Sequence, residues 1–249
     1  MPFRAMRAAR CVSSVAELSP AIVIGASGGI GAAMADMIDE EHPETPCLRF
    51  ARSFGGVSHI DLTDEASIEA AARHAAENIA PPRLLIVATG LLHEGTNGPE
   101  KSMSALEPEW MARNLAVNAT GPLLVAKHFL PIMASEGEIR FAALSARVGS
   151  ISDNRLGGWY GYRMGKAALN MGLRNLAIEW RRKNDRAIIV GLHPGTVDTP
   201  LSKPFQANVA AGKLFDAERA ALQLIDVLEE LRPAQSGRIF AWDGVEIAP

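Results

Sequence analysis

The feature that most restricts this chain is an alternation of two kinds of segment. Short stretches, most of them apolar on both alternating faces, alternate with longer stretches whose apolar residues recur at helical spacing. The short stretches lie at 21–25, 47–51, 59–62, 84–89, 138–144, 187–192 and 238–242. A strand apolar on both faces belongs to a parallel sheet covered by helices above and below. The stretches at 29–41, 64–79, 108–135, 159–183 and 216–231 supply those helices. Asp64 suits the cap or first turn of the second, and Pro108 the first turn of the third. Parallel strands joined by right-handed crossovers give an α/β fold: a doubly wound sheet of about seven strands with helices on both faces.

A chain of 249 residues could make one large α/β domain or two small ones. No repeat, low-complexity tract or Pro/Gly linker divides it, so 20–249 is expected to be a single domain. Residues 1–19 are expected to be a flexible extension, because Arg4, Arg7 and Arg10 are joined by no continuous apolar segment and are followed by Glu17. A net charge of −3 gives no reason to expect nucleic acid as a partner. The nearest approach to a membrane span, 21–35, is broken by glycines and ends at Asp36. Cys11 and Cys47 match neither a metal spacing nor a disulfide framework, which points to a reducing, cytoplasmic setting and no metal.

The first strand runs directly into Gly25-Ala26-Ser27-Gly28-Gly29-Ile30-Gly31, and a helical pattern begins at once. Small residues there let the backbone approach a pyrophosphate, and the helix that follows aims its free N–H groups and positive dipole end at it. At the second strand's end stand Arg52 and Ser53, with no acid. A carboxylate there would repel a ribose 2′-phosphate, whereas a guanidinium binds one, so NADP(H) is favoured over NAD(H). Arg49 is a second candidate for that contact. Further on, Tyr162 and Lys166 stand four residues apart at the start of a helical pattern, on one face. A tyrosine titrates near ~10, and a neighbouring ammonium is expected to lower that value, so that Tyr162 exchanges a proton with a carbonyl or alcohol oxygen.

The spacing Gly25-x-x-x-Gly29-x-Gly31, followed some way on by Tyr162-x-x-x-Lys166, resembles the short-chain dehydrogenase/reductase family. The resemblance runs from Ala21 to about Gly244, with Ile24 where the family's turn has threonine. It implies a Rossmann-like domain and an oxidoreductase moving hydride between NADPH and a small carbonyl or alcohol. It adds Ser145, at the end of a strand, as the partner of the substrate oxygen. The family's Ser-x-x-Gly spacing counted back from Gly149 reaches Ala146, so either the loop is shifted by one and Ser145 serves, the favoured reading, or the serine role is compromised, with Ser150 and Ser152 as remote alternatives. It makes Asn118 the holder of a relay water at a distortion in a long helix. Asp61 becomes an adenine contact, or else a helix-entry residue, with Leu62 beside the ring. Ala88, Thr89 and Gly90 would meet the ribose through their backbone, although the family's two asparagines are missing there. Pro194, Gly195, Val197 and Thr199 would hold the nicotinamide amide, and 200–213 would form a substrate lid. His93 and His193 receive no role. The segments 145–151 and 158–162 are similar to the subgroup holding the C-factor signalling protein and sniffer-type carbonyl reductases. The resemblance therefore also leaves open a cofactor-binding signalling protein with little turnover, and it implies a homodimer or homotetramer.

Overall fold

The computed structural model describes residues 19–210 and 212–249. The expected extension at 1–19 lies, but for Ser19, outside the described residues. Six strands form one parallel sheet: β1 (Ala21–Ile24), β2 (Leu48–Phe50), β3 (Leu84–Val87), β4 (Ile139–Leu144), β5 (Ala187–His193) and, at the far edge, a strand over Ile239–Ala241. Between the last two come a short parallel pair, β6 (Thr196–Val197) and β7 (Leu214–Phe215), so the edge strand is β8. The order β2-β1-β3-β4-β5-β8 reverses direction between β1 and β3. That reversal opens a crevice at the carboxyl ends of those two strands.

Successive residues of each strand enter different cores, as a pleated strand buried on both sides requires. Ile22, Ile24, Leu85, Val87, Phe141 and Ile189 pack on one side, and Val23, Ile86, Ala142, Ile188 and Val190 on the other. The first side is covered by α2 (Glu65–Asn78), α4 (Gly121–Phe129) and α5 (Tyr160–Trp180), the second by α1 (Gly29–Glu41) and α6 (Ala217–Glu230). Complete burial of each valine, leucine, isoleucine or phenylalanine among them contributes about 1.5–3 kcal/mol.

Two sequence expectations are corrected. The stretch 59–62 is no strand of the sheet: the turn Gly56–Ser58 precedes it, it makes a single bridge, Ala51 to His59, and it then enters α2. The sheet therefore has six strands, not seven. The expected helix 108–135 is also broken, into α3 (Pro108–Leu115), a π-helical turn (Ala116–Thr120) and α4, with the turn Leu130–Ile132 closing it. Pro122 supplies the reason. A proline ring collides with the carbonyl four residues back, here that of Asn118, and the widened turn relieves the collision.

The helix starts differ in a way that matters for function. Asp64 caps α2 by accepting from Ala66 N at 3.0 Å, and Asp216 caps α6 by accepting from Arg219 N at 2.6 Å. At the start of α1, by contrast, Gly28 makes no side-chain cap bond, which leaves that helix's first donors for something outside the chain.

Candidate active site

The glycine turn wraps the end of β1 against the end of β3. Gly25 has φ +89°, and a Cβ on it would lie 2.7 Å from Ala88 O; one on Gly31 would lie 2.3 Å from Gly25 O. These two glycines permit the turn's own close packing. Ser27 and Gly28 instead are exposed at its rim. A cleft of about 270 Å³ opens there, and its walls include Gly25, Ser27, Gly28, Arg52, Asp61, Leu62, Ala88, Thr89 and Gly90. A cradle that a side chain would fill, beside an uncapped helix start at the sheet's switch point, fits a dinucleotide.

Of the two arginine candidates, only Arg52 lines this cleft. Arg49 is held by Asp36 at 2.6 Å and by Asp39, both on α1. Arg52 lies 3.8 Å from Glu94, whose carboxylate takes a two-pronged grip from Arg113 at 3.2 Å. Asp61 stands where either expected role is open to it. It accepts from Thr63 N and Oγ1 at 2.8 Å each, an entry turn to α2, and it also faces the cleft. Burial works to raise its carboxyl pKa, but the two Thr63 bonds and the charges of Arg52 and Arg113 outweigh it and hold the group below its ordinary value.

A second cavity, of about 230 Å³, is lined by Ser145, Tyr162 and His193 and by Ile30, Pro194, Gly195, Val197 and Thr199. Thr199 reaches the turn itself, since a Cβ on Gly29 would sit 3.0 Å from Thr199 Cγ2. One wall is aromatic: Trp159 lies 5.2 Å from Phe205 and edge-on to Tyr162 at 6.3 Å, ring to ring. Leu201, Phe205 and Val209 bring the expected lid segment to this cavity, and the β6–β7 pair closes the segment's base.

Tyr162, Lys166 and Asn170 occupy one face of α5, one turn apart. Lys166 Nζ donates to Leu144 O at the end of β4 (2.8 Å), and Ser145 Oγ donates to Asn170 Oδ1 (2.6 Å). Ser145 is also pinned through its own N–H to Leu192 O at 2.8 Å. Asn170 was absent from the sequence reading, although its position two turns after Tyr162 carries the signal. Ser145 and Ala146 both line the cavity, and Ser145 brings the hydroxyl there.

The protonation of this group differs from the simple expectation. Burial pushes the Tyr162 phenol up to about 12 and the Lys166 ammonium down to about 7. The lysine lies 5.7 Å from the tyrosine ring, but loss of water penalises both charged forms and dominates. Tyr162 is thus a protonated phenol at neutral pH. His193 is neutral as well: burial, with Arg147 nearby, takes it down to about 4. His93 lies 3.1 Å from Pro200 O, on the lid segment.

Asn118 sits in the π-helical turn, fully buried. Its Oδ1 accepts from Leu91 N at 2.9 Å, and its Nδ2 donates to Leu91 O at 2.7 Å and to Asn114 Oδ1 at 3.2 Å. The side chain therefore locks the strand-end loop after β3. A Cβ on Gly90 would lie 3.7 Å from Asn118 Oδ1 and 3.8 Å from Lys166 Nζ, so these two groups face the same point.

The family model described as enoyl-(acyl carrier protein) reductase matches residues 26–229. The C-signal protein of Myxococcus xanthus is 39% identical over 137 residues, covering 55% of this chain and 77% of that protein. The 1-hydroxy-2-glutathionyl-2-methyl-3-butene dehydrogenase of Rhodococcus sp. (strain AD45) is 28% identical over 91% of this chain and 98% of its own length. Among solved structures, the NADPH-bound carbonyl reductase from chicken fatty liver superposes with a TM-score of 0.77 at 24% identity, over 92% of this chain and 98% of that one. The carbonyl reductase Sniffer of Drosophila melanogaster gives 0.74 at 20% identity, over 92% and 99%. With the Rossmann-like sheet, the glycine turn and these matches together, the chain belongs to the short-chain dehydrogenase/reductase family of oxidoreductases. Among the described residues no helix is long and apolar enough to cross a membrane.

Proposed function

We propose that this chain is an NADPH-dependent carbonyl reductase, or an alcohol dehydrogenase in the reverse direction. The observation that carries the reading is the convergence of Tyr162 and Ser145 at a cavity that continues into the glycine turn through Ile30 and Thr199, with Lys166 Nζ 5.7 Å from the Tyr162 ring. Ser27 and Gly28 with the open start of α1 would hold the pyrophosphate, Arg52 the 2′-phosphate, Asp61 and Leu62 the adenine, and Ala88–Gly90 the ribose. Pro194, Gly195, Val197 and Thr199 would hold the carboxamide. A bound NADPH would supply the hydride and, once oxidised, a positive charge that favours the phenolate of Tyr162.

The remaining chemistry belongs to the chain. Ser145 Oγ orients the substrate oxygen, turning from Asn170 to do so. Tyr162 Oη, protonated at neutral pH, donates its proton to that oxygen during reduction and accepts it back during oxidation. Lys166 Nζ, anchored on Leu144 O, and Asn118 Oδ1 flank the place from which a water could return a proton to Tyr162. The segment 200–213 acts as the lid, and the single domain spans 20–249. Met164, Met171 and Ile178, exposed at 38%, 64% and 50% and two turns apart on α5, are the face through which we expect two copies to pair.

A panel of aldehydes and ketones with NADPH and with NADH tests the proposal. Wild-type protein should oxidise NADPH against at least one carbonyl, and Tyr162→Phe should lose that activity while binding NADPH as before. Full activity in Tyr162→Phe sinks the assignment. The C-signal similarity, together with a Ser145 hydroxyl already engaged by Asn170, favours one second reading: a cofactor-binding signalling protein with little turnover. Firm NADPH binding without turnover across the panel would favour it.

A further inference from the structure

Helix α5, which carries Tyr162 and Lys166, begins in an unusual way. Gly157, Gly158 and Trp159 have φ of +64°, +64° and +53° in succession, and Trp159 is the sole non-glycine residue with positive φ among the described residues. Tryptophan at the helix cap has no side-chain acceptor for the first turn's free N–H groups, and left-handed backbone is strained for a residue with a Cβ.

The missing acceptor comes from a distant loop. Glu100, 3% exposed, accepts from Gly161 N through Oε2 at 3.0 Å, and its main-chain oxygen accepts from Trp159 N. Glu100 therefore grips α5 on both sides of Trp159. Its other oxygen, Oε1, is buried with no hydrogen-bond partner among the described residues. A Cβ on Gly161 would meet that oxygen at 2.9 Å and Asn114 Nδ2 at 3.3 Å, so any other residue there would push the carboxylate aside. A carboxylate also suits the positive end of a 21-residue helix. Gly165, one turn on, leans on Asn118 in the same manner, with 3.1 Å from a hypothetical Cβ to Asn118 Cβ.

We infer that Glu100 is a positioning residue for the reaction: by capping α5 from outside and holding Trp159 left-handed, it sets Tyr162 Oη and the aromatic wall against the substrate. The inference rests on the reading of Tyr162 as proton donor. Glu100 is not among the residues that line the cofactor cleft, so its loss is expected to act on the substrate step and leave cofactor affinity alone.

The test compares Glu100→Ala with Glu100→Gln, which keeps an acceptor for Gly161 N and loses the charge. Three readouts are needed: hydrogen exchange by mass spectrometry, NADPH affinity by calorimetry, and kcat and KM for carbonyl reduction. In Glu100→Ala, exchange over 157–166 should speed by about tenfold, as expected for a lost cap, with the sheet unchanged. Its kcat should fall about 10–100-fold through misplacement of Tyr162, with NADPH affinity held within about twofold. Glu100→Gln should return kcat to within about fivefold of wild type. Unchanged exchange and kcat in Glu100→Ala overturn the inference. So does uniform acceleration across the sheet, which would make Glu100 a general stabiliser, and so does a glutamine variant as damaged as the alanine one. If the wild-type protein reduces no carbonyl, the proposed function fails, and exchange over 157–166 still decides whether the clamp exists.

Discussion

Replacing Lys166 by methionine separates what this lysine costs the fold from what it contributes to the reaction. Burial lowers its pKa from 10.5 to about 7, so between those values the unfolded chain holds a proton that the folded chain has released. Because the unfolded state binds more protons, stability rises with pH through that window, and the penalty is in full force below about pH 7. At about 1.4 kcal/mol per pH unit the whole penalty is on the order of 5 kcal/mol. Integrated between about pH 7 and pH 9, it relaxes by about 2 kcal/mol. Methionine keeps most of the buried stem and cannot titrate, though it gives up the 2.8 Å bond to Leu144 O, a loss that does not vary with pH. Lys166→Met should therefore be more stable than wild type near neutrality, with an advantage that narrows by about 2 kcal/mol toward about pH 9. For a chain this size that is about 4–8 °C in Tm. Urea or thermal unfolding of both proteins at three pH values across that range measures the difference, and groups common to both cancel. A gap that stays constant or widens with pH would refute the reasoning that burial dominates at Lys166. The same variant should lose carbonyl reduction.

Two further outcomes follow from the cofactor cleft. Gly31→Ala places a methyl 2.3 Å from the main-chain oxygen of Gly25, which cannot easily yield, so calorimetry should show NADPH affinity falling by more than about tenfold; retained affinity would mean the turn is not the cradle. Glu94→Gln removes the carboxylate 3.8 Å from Arg52, and NADPH should then bind a few-fold more tightly with NADH unchanged; equal effects on both cofactors would remove Arg52 from the 2′-phosphate.

Much of this architecture was legible because its signals are local. The first helix is found at Gly29–Glu41 as expected, since the glycine turn and the apolar period mark its two ends independently. The two-sided strands likewise announced a covered sheet. Stretch 59–62 misled because a short apolar run does not say whether a neighbour is free to pair with it. The break at Ala116–Thr120 was legible in part: the resemblance set Asn118 at a distortion in the long helix, and Pro122 is its local sign, but neither says that the turn is π-helical. The direction of Tyr162's pKa was not legible at all: sequence spacing shows a lysine nearby, and only the fold shows that both are dry. Glu100 was hidden for another reason, since the amide it caps lies 61 residues further along the chain.

The π-helical turn at Ala116–Thr120 has a consequence for how this long helix tolerates change. An inserted residue turns an α-helix by about 100° relative to everything beyond it. The turn therefore works as a phase shifter. On one side Asn114 packs under Gly161 of α5, and on the other Val125 and Phe129 face the core beneath α2. Each half keeps its own correct azimuth only because the wide turn stands between them. Substitutions within either half are read one side chain at a time. Removal of a single residue from 116–120 would instead swing a whole face, trading the polar pair Asn114 and Asn118 for their apolar neighbours at once.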